Sequence, residues 1–187
     1  NSALQKANSL YLSFQKGVAY KENKKYNEAI KTFEEINNYF PSRENYNNVG
    51  VLKTLQALEF QVVTSEAFHH PKRFLYPVET DNTSRLNQNG TRGSGAEEDQ
   101  QKMETLLKSA QRDFEKAISL DPKYTKAYIN LACVFDLLDN PEAAIGKIKE
   151  LSKEQQNSTE SLRILAIAYF HADYEKKAAE IWKLLNL

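Results

Sequence analysis

The stretch AQRDFEKAISLDP, residues 110–122, places an alanine shortly before a phenylalanine and ends in proline. The same spacing of a small and a large apolar residue returns at Ala144 and Ile148, and again at Ala178 and Trp182. The step from position 110 to 144 equals the step from 144 to 178, and we call this interval the repeat period. Self-similarity at a period of this length is typical of arrays of helical repeats, in which each helix pair packs on the next. The sequence therefore predicts an all-helical repeat protein.

An earlier copy of the pattern lies out of step with the others. Ala29 and Phe33 carry it, but the interval from Ala29 to Ala110 is not a multiple of the repeat period. A small residue in the preceding helix shows where the extra chain lies, because Gly17 shortly precedes Ala29 whereas Gly50 and Ala110 are far apart in sequence. We therefore expect an insertion between the two helices of the second repeat, at about residues 65–100.

The helices that precede these copies carry a second motif. It reads Tyr128-x-x-Leu131-Ala132-x-x-Phe135 in one repeat and Leu162-x-x-Leu165-Ala166-x-x-Tyr169 in the next, with shorter forms at Tyr46-x-x-Val49-Gly50 and Gly17-x-x-Tyr20. With both motifs the chain resembles the tetratricopeptide repeat family. The resemblance implies an all-α, right-handed superhelical solenoid of four helix-turn-helix repeats, forming a single domain over residues 1–187. The repeats would span about 10–43, 44–124 with the insertion, 125–158 and 159–187.

Apolar residues at regular helical spacing, with proline as a stop signal, set the helix boundaries that we expect. The predicted helices are 3–22, 27–38, 44–67, 96–120, 124–138, 141–153, 158–172 and 174–187. Some positions depart from the family pattern, with Ser13 and Lys16 in the first repeat and Lys53 in place of an aromatic residue in the second. At the end of the chain we expect Ile181, Leu184, Leu185 and Leu187 to be partly exposed.

The insertion contains one apolar stretch between prolines. Arg73, Phe74, Leu75 and Tyr76 precede Pro77, and this composition favours an extended backbone. Leaving such a stretch in water costs about 25 cal/mol per Å² of apolar surface. We therefore expect it to dock on the helices or in the groove of the array, or to serve as a partner-binding arm. Residues 81–95 are polar and rich in glycine, which favours a mobile loop.

The composition excludes several classes of function. Lys plus Arg and Asp plus Glu both total 25, so no net charge favours nucleic acid. No apolar run approaches the length of a membrane span, so we expect a soluble protein, cytoplasmic or periplasmic. The first residue is Asn1 rather than methionine, and we expect a fragment that lacks the native N-terminus. The single cysteine, Cys133, lies among apolar residues and is predicted to be buried.

No residue pattern points to catalysis, a cofactor or a metal. Gly93-Ser94-Gly95 lacks the lysine of a phosphate-binding loop. His69 and His70 are adjacent, a spacing that on a helix directs their side chains about 100° apart and suits one metal ion poorly. Asn82, Asn89 and Asn157 begin glycosylation sequons, which matter only in a secreted protein.

The resemblance implies a groove lined by the first helix of each repeat. The groove residues that it implies are Phe14, Lys21, Asn47, Asn48, Val51, Lys126, Asn130 and Arg163. Some members clamp a C-terminal carboxylate, but here Phe14, Val18 and Asn130 replace three of the expected clamp residues. We therefore expect a non-catalytic scaffold that binds a peptide or protein in the groove, through the insertion, or both.

Two alternatives stay open. The chain could be a regulatory or substrate-recruiting fragment of a larger enzyme, or it could self-associate through its C-terminal helix around Leu184–Leu187.

Overall fold

The computed structural model describes residues 2–62, 64–78 and 97–187, and these residues form an all-helical protein without strands. In this part of the chain the helices are α1 (Ser2–Glu22), α2 (Tyr26–Tyr39), α3 (Arg43–Leu58), α4 (Ser65–His69), α5 (Glu97–Leu120), α6 (Thr125–Leu137), α7 (Pro141–Lys149), α8 (Lys153–Gln156), α9 (Thr159–His171) and α10 (Glu175–Leu184).

The eight longer helices pack in chain order, as in a helical solenoid. Each of α1, α2, α3, α5, α6, α7, α9 and α10 contacts the next one in this series. The helices α3, α6 and α9 also contact each other in succession, so the first helices of neighbouring repeats lie side by side. The pairing of α3 with α5 is the most extensive, although residues 59–96 separate the two helices in the chain.

Glycine allows two helix pairs to approach closely. A Cβ atom built on Gly17 would lie 2.8 Å from Cε2 of Phe33, and one on Gly50 would lie 2.7 Å from Cε1 of Phe114. Both distances are too short for a real contact, so each phenylalanine ring occupies the space that a side chain would need. The two phenylalanines are the large residues of the repeated pattern, so in both pairs a large residue of the second helix packs on the glycine of the first.

The turns inside three repeats share one backbone feature. Lys24, Asp139 and Asp173 have φ values of 56°, 60° and 61°, in the left-handed region. Asp139 and Asp173 are one repeat period apart, and each stands just after the first helix of its pair. Short polar side chains tolerate this conformation better than branched ones, which fits aspartate at two of the three positions.

The predicted continuous helix over 44–67 is wrong. The helix α3 ends at Leu58, and a separate short helix, α4, begins at Ser65. Thr64 is the N-cap of α4, because its side-chain hydroxyl accepts a hydrogen bond from the Ala67 amide. The apolar pattern continues through Val62, which misled the prediction, but this side chain is 57% exposed. The helix therefore stops before Val62, a side chain that the described residues leave largely exposed.

Two further predicted ends also need correction. The helix α7 ends at Lys149 rather than 153, and a capping box formed by Ser152 and Gln155 starts the short helix α8. At the last helix, α10 ends at Leu184, with Asn186 at a φ of 56°. The predicted upstream extension of α5 is confirmed from Glu97 onward.

Some predictions lie outside the described residues. These are the polar loop at 81–95, the sequons at Asn82 and Asn89, and the glycines at 90, 93 and 95. The predicted exposure at the end of the chain is confirmed, because Leu184 is 72% exposed and the other three apolar side chains there are partly exposed.

Lys53, a departure from the family pattern, joins three helices. Its Nζ lies 3.1 Å from a carboxylate oxygen of Glu34 on α2 and 2.8 Å from one of Asp113 on α5. Burial raises the pKa of Asp113, and the Lys53 ammonium opposes that shift. A lysine therefore stands at this position because a carboxylate from the opposite helix needs a cation there.

Candidate functional site

The predicted groove corresponds to one stripe on each of α3, α6 and α9, which we call the inner face. Residues at successive spacings of four and three lie on one side of a helix. The stripes on α6 and α9 are related by the repeat period. The inner face comprises Asn47, Val51 and Thr54 on α3, Ile129, Cys133 and Asp136 on α6, and Arg163, Ile167 and Phe170 on α9.

The inner face is largely buried and partly polar. Asn130 donates a side-chain hydrogen bond of 2.8 Å to Asn47, which joins α3 to α6, and the two residues are only 1% and 0% exposed. Asn48 and Val51 are buried beside them. Buried amides are stable only when hydrogen-bonded, so this pair fixes the relative position of the two helices.

The predicted groove residues nearer the N-terminus have different surroundings. Phe14 packs edge-on against Phe33, with ring centroids 5.3 Å apart, inside the core between α1 and α2. Lys21 is buried, and burial lowers the pKa of its ammonium group while the nearby Glu22 carboxylate opposes the shift. Lys126 is half-buried at the start of α6. The predicted groove residues thus range from core positions to partly accessible ones.

Residues 72–78 lie against the inner face, and we call them the docked segment. Phe74 is its centre, with its ring centroid 5.2 Å from that of Phe170, 5.5 Å from that of Trp182 and 5.9 Å from that of His171. The ring therefore enters an aromatic pocket between α9 and α10. The expected docking of this apolar stretch on the array is confirmed. The expected extended backbone is wrong at its start, where residues 71–74 form a turn and the Arg73 amide donates a hydrogen bond of 3.0 Å to the carbonyl of His70.

Charged groups hold the start of the docked segment. The guanidinium group of Arg73 lies 5.2 Å from the Trp182 ring centroid, and Arg73 donates a hydrogen bond of 3.3 Å to the backbone carbonyl of Leu187. Arg163 on α9 donates a hydrogen bond of 3.3 Å to the backbone carbonyl of Lys72. Arg163 is thus one predicted groove residue that contacts a main chain.

The end of the docked segment is buried on α6. The Tyr76 hydroxyl donates a hydrogen bond of 2.7 Å to Oδ2 of Asp136, and Val78 is buried nearby. Burial, followed by the negative charge of Asp136, raises the pKa of Tyr76 well above its usual value. Tyr76 therefore stays protonated and acts as a hydrogen-bond donor.

His171 completes this polar cluster. Its Nδ1 lies 2.9 Å from the same Asp136 oxygen. That hydrogen bond raises the pKa of His171; burial opposes the shift, while the charges of Asp136 and Asp139 reinforce it. The same oxygen of Asp136 therefore lies within hydrogen-bond distance of both the Tyr76 hydroxyl and the His171 imidazole.

The residues that receive the docked segment were missed in the site prediction, although the sequence carried a signal for some of them. Asp136 and Phe170 are separated by one repeat period and continue the stripes that begin at Ile129 and Arg163. His171 and Trp182 could not be assigned in this way, because their role depends on where residues 72–78 lie against the array.

A concavity lies away from the inner face. It has a volume of about 500 Å³ and is lined by Phe60 and Val62, by Met103 and Leu107 on α5, and by Leu138 after α6. Within the ranges that the structure describes, acidic, histidine and cysteine side chains form no cluster able to hold a metal ion. The helices of the same ranges include none with the length and apolar character needed to cross a bilayer.

Comparison with known proteins found two family models and a solved structure that are similar to this chain. Family models described as tetratricopeptide repeat match residues 10–42 and 113–146. A solved structure of TTC0263, a thermophilic TPR protein of Thermus thermophilus, is similar at 16% sequence identity and a TM-score of 0.43. That similarity covers 93% of this chain and 88% of the other. A search of curated proteins found no match.

Proposed function

We propose that this chain, which belongs to the tetratricopeptide repeat family, binds an extended stretch of a partner protein on its inner face. Members of this family are typically non-catalytic scaffolds that mediate protein–protein interaction. In this proposal the chain catalyses no reaction of its own. The contact residues would come from α3, α6 and α9 and from the docked segment.

The observation that carries this proposal is the docked segment itself. A non-helical stretch of chain already lies across α6, α9 and α10, and it is held by an aromatic pocket and by hydrogen bonds from Arg163 and to Asp136. A surface that accepts one peptide segment in this way has the chemistry to accept another. Apolar pockets for alternate side chains and polar groups for the main chain are the two requirements of such a site.

Polar side chains beside the docked segment extend the same chemistry toward α3. Asn47 and Asn130 are paired across two helices, and Lys126 is partly accessible at the start of α6. Asn48 is buried, and its Oδ1 accepts no hydrogen bond from any other described residue. A buried acceptor of this kind favours a ligand that brings a donor, such as a peptide N–H group.

Selection from a random peptide display library tests the proposal without knowledge of the partner. The chain serves as bait in two forms, the wild type and the double variant Phe74→Ala/Tyr76→Ala, in which the docked segment loses its main anchors. We expect enriched peptides from at least one of the two forms. Failure of both baits to enrich any peptide, while the circular dichroism spectra stay helical, would contradict the proposal.

A matched pair of arginine variants locates the binding surface. Arg163→Ala removes a side chain of the inner face, whereas Arg112→Ala removes an exposed side chain of α5 outside it. Loss of one charged hydrogen bond of about 1.5 to 3 kcal/mol weakens binding about tenfold or more, so the selected peptides should bind Arg163→Ala weakly. They should bind Arg112→Ala like the wild type. Equal binding to both variants would place the site elsewhere.

A further inference from the structure

We propose that the docked segment is an internal ligand, which occupies the binding surface until a partner with the same side-chain pattern displaces it. This inference rests on the proposed function and specifies the chemistry of the partner. The pattern is a basic residue, an aromatic residue, any residue and a tyrosine. In this protein Arg73, Phe74, Leu75 and Tyr76 supply it.

The docked segment can leave without breaking the helical array. The eight longer helices pack on each other in chain order, and the docked segment belongs to none of these pairs. The chain that leads to it is exposed, with Phe68 on α4 at 64% exposure and His70 and Pro71 also exposed. Release therefore costs the contacts of the docked segment itself, including those of Tyr76 and Val78 with the hydrophobic core, but no contact between two of the longer helices.

The contacts of the docked segment define the pattern. Phe74 and Tyr76 provide its aromatic and polar side-chain contacts with the array, and Leu75 between them is partly buried. The Phe74 ring fills the pocket between Phe170 and Trp182, while Tyr76 reaches Asp136. A partner therefore needs aromatic residues two positions apart, whereas the residue between them is free to vary.

The tyrosine position is the more selective of the two. The side chain of Asp136 is fully buried, and its carboxylate accepts a hydrogen bond from the Tyr76 hydroxyl. A phenylalanine there would supply no donor, and an acidic residue would meet a like charge in a buried site. The basic residue one position before the first aromatic residue is favoured by the face of Trp182, against which Arg73 lies.

Covalent connection makes the internal ligand a strong competitor. A segment that belongs to the same chain as its site binds intramolecularly, with an effective concentration on the order of millimolar. An external peptide binds only the fraction of molecules in which the segment is released, and its apparent affinity falls in proportion. A partner must therefore bind more tightly than the internal copy, or bring additional contacts on α3.

A synthetic peptide with the sequence of residues 72–78, KRFLYPV, tests the inference directly. A fluorescent derivative is titrated with the wild-type chain and with Phe74→Ala/Tyr76→Ala, and binding is measured by fluorescence anisotropy. The chain has one tryptophan, and Trp182 lines the pocket, so its emission reports occupancy of this site. We expect the variant to bind at least about tenfold more tightly than the wild type, because its own segment no longer competes.

Further variants control for sequence and for folding. Leu75→Ala leaves the two anchors in place and should bind like the wild type. A peptide with glutamate in place of its tyrosine should not bind. We call Phe74→Ala/Tyr76→Ala a release variant, because it is designed to free the docked segment from its site. Tyr76→Glu, which places a charge opposite Asp136, is a second release variant and is used if circular dichroism shows that the double variant is unfolded.

The outcomes separate this inference from the proposed function. No binding of the peptide to a folded release variant, up to about 1 mM, would overturn the internal ligand, as would equal binding by wild type and variant. If display selection still yields peptides that depend on Arg163, the protein binds partners in another way and the proposed function stands. If neither experiment yields a peptide, both are wrong.

Discussion

Replacing Gly50 by alanine is the sharpest perturbation of the helix packing. The added Cβ would lie 2.7 Å from Cε1, 2.8 Å from Cζ and 2.9 Å from Cδ1 of Phe114. Phe114 is fully buried in the core between α3 and α5. Its ring is rigid and has no exposed side toward which it could turn, so either the helices separate or the ring leaves its preferred position.

Two effects of opposite sign set the magnitude. Overpacking a well-filled core costs about 1 to 3 kcal/mol. Replacing glycine by alanine inside a helix stabilises it by about 0.5 to 1 kcal/mol. Because Phe114 is fully enclosed, we take the upper part of the first range and expect a net loss of about 1 to 2 kcal/mol. For a chain of this length that corresponds to a midpoint about 2 to 8 °C lower.

Gly146 on α7 provides a matched control. A Cβ added there would meet nothing within 4 Å, so only the helix-propensity effect applies. Gly146→Ala should raise the midpoint by about 1 to 4 °C. Thermal unfolding of both variants, followed by circular dichroism in the far ultraviolet, compares them on the same scale.

The reasoning would be refuted if Gly50→Ala and Gly146→Ala changed the midpoint by the same amount. A double-mutant cycle sharpens the test. In a chain with Phe114→Leu the ring atoms that crowd Gly50 are gone, so Gly50→Ala should cost less than in the wild type. An equal cost in both backgrounds would show that the close approach of α3 and α5 is not what requires glycine.

Three further predictions concern the docked segment and its pocket. Tyr76→Phe should cost about 1 to 2 kcal/mol in chemical denaturation, because Asp136 loses a buried donor but keeps His171, whereas Tyr39→Phe, at an 81% exposed position, should cost nothing measurable. The raised pKa of His171 predicts a contribution to stability that is fully present below about pH 6.5 and is lost as the pH rises through the folded pKa. Denaturation midpoints measured across this pH range should show the loss in the wild type and not in His171→Gln. The same pH profile in both proteins would contradict this prediction. Trp182→Ala should cost about 3 to 5 kcal/mol and should increase amide exchange in α9 and α10 first, so uniform exchange along the array would contradict a local role.

The repeat period predicted the helix pairs because close packing limits which residues can face each other. The spacing correctly paired the helices of Gly17 and Gly50 with those of Ala29 and Ala110, although a long stretch of chain separates Gly50 from Ala110, and the side chains that pack on the two glycines are Phe33 and Phe114. Residue size at fixed sequence intervals is enough to predict which helices pair, and the prediction does not require the path of the chain between them. The same register places Asp136 and Phe170 on the inner face.

Helix ends were predicted less well because they depend on local hydrogen bonds and on burial. The apolar residues up to Val62 suggested that α3 continues, but the described residues leave that side chain largely exposed and Thr64 caps a new helix. Ser152 and Gln155 were readable as a capping box in the sequence and would have corrected the end of α7.

The contacts of the docked segment were only partly predictable. Its apolar composition predicted that it docks, because exposed apolar surface is costly in water. The pairing of Tyr76 with Asp136 and of Phe74 with Trp182 could not be predicted, because it joins parts of the chain whose relative positions only the fold defines.

Photo-crosslinking from the inner face tests the central claim most directly. Benzoylphenylalanine replaces Phe170, a half-buried aromatic residue of the pocket, and in a parallel sample it replaces Glu115, an exposed residue of α5. Peptides obtained by display selection are irradiated with each protein, and mass spectrometry identifies the adducts. The account predicts peptide adducts from position 170 and none from position 115. Adducts from position 115 alone, or from both positions equally, would contradict binding on the inner face.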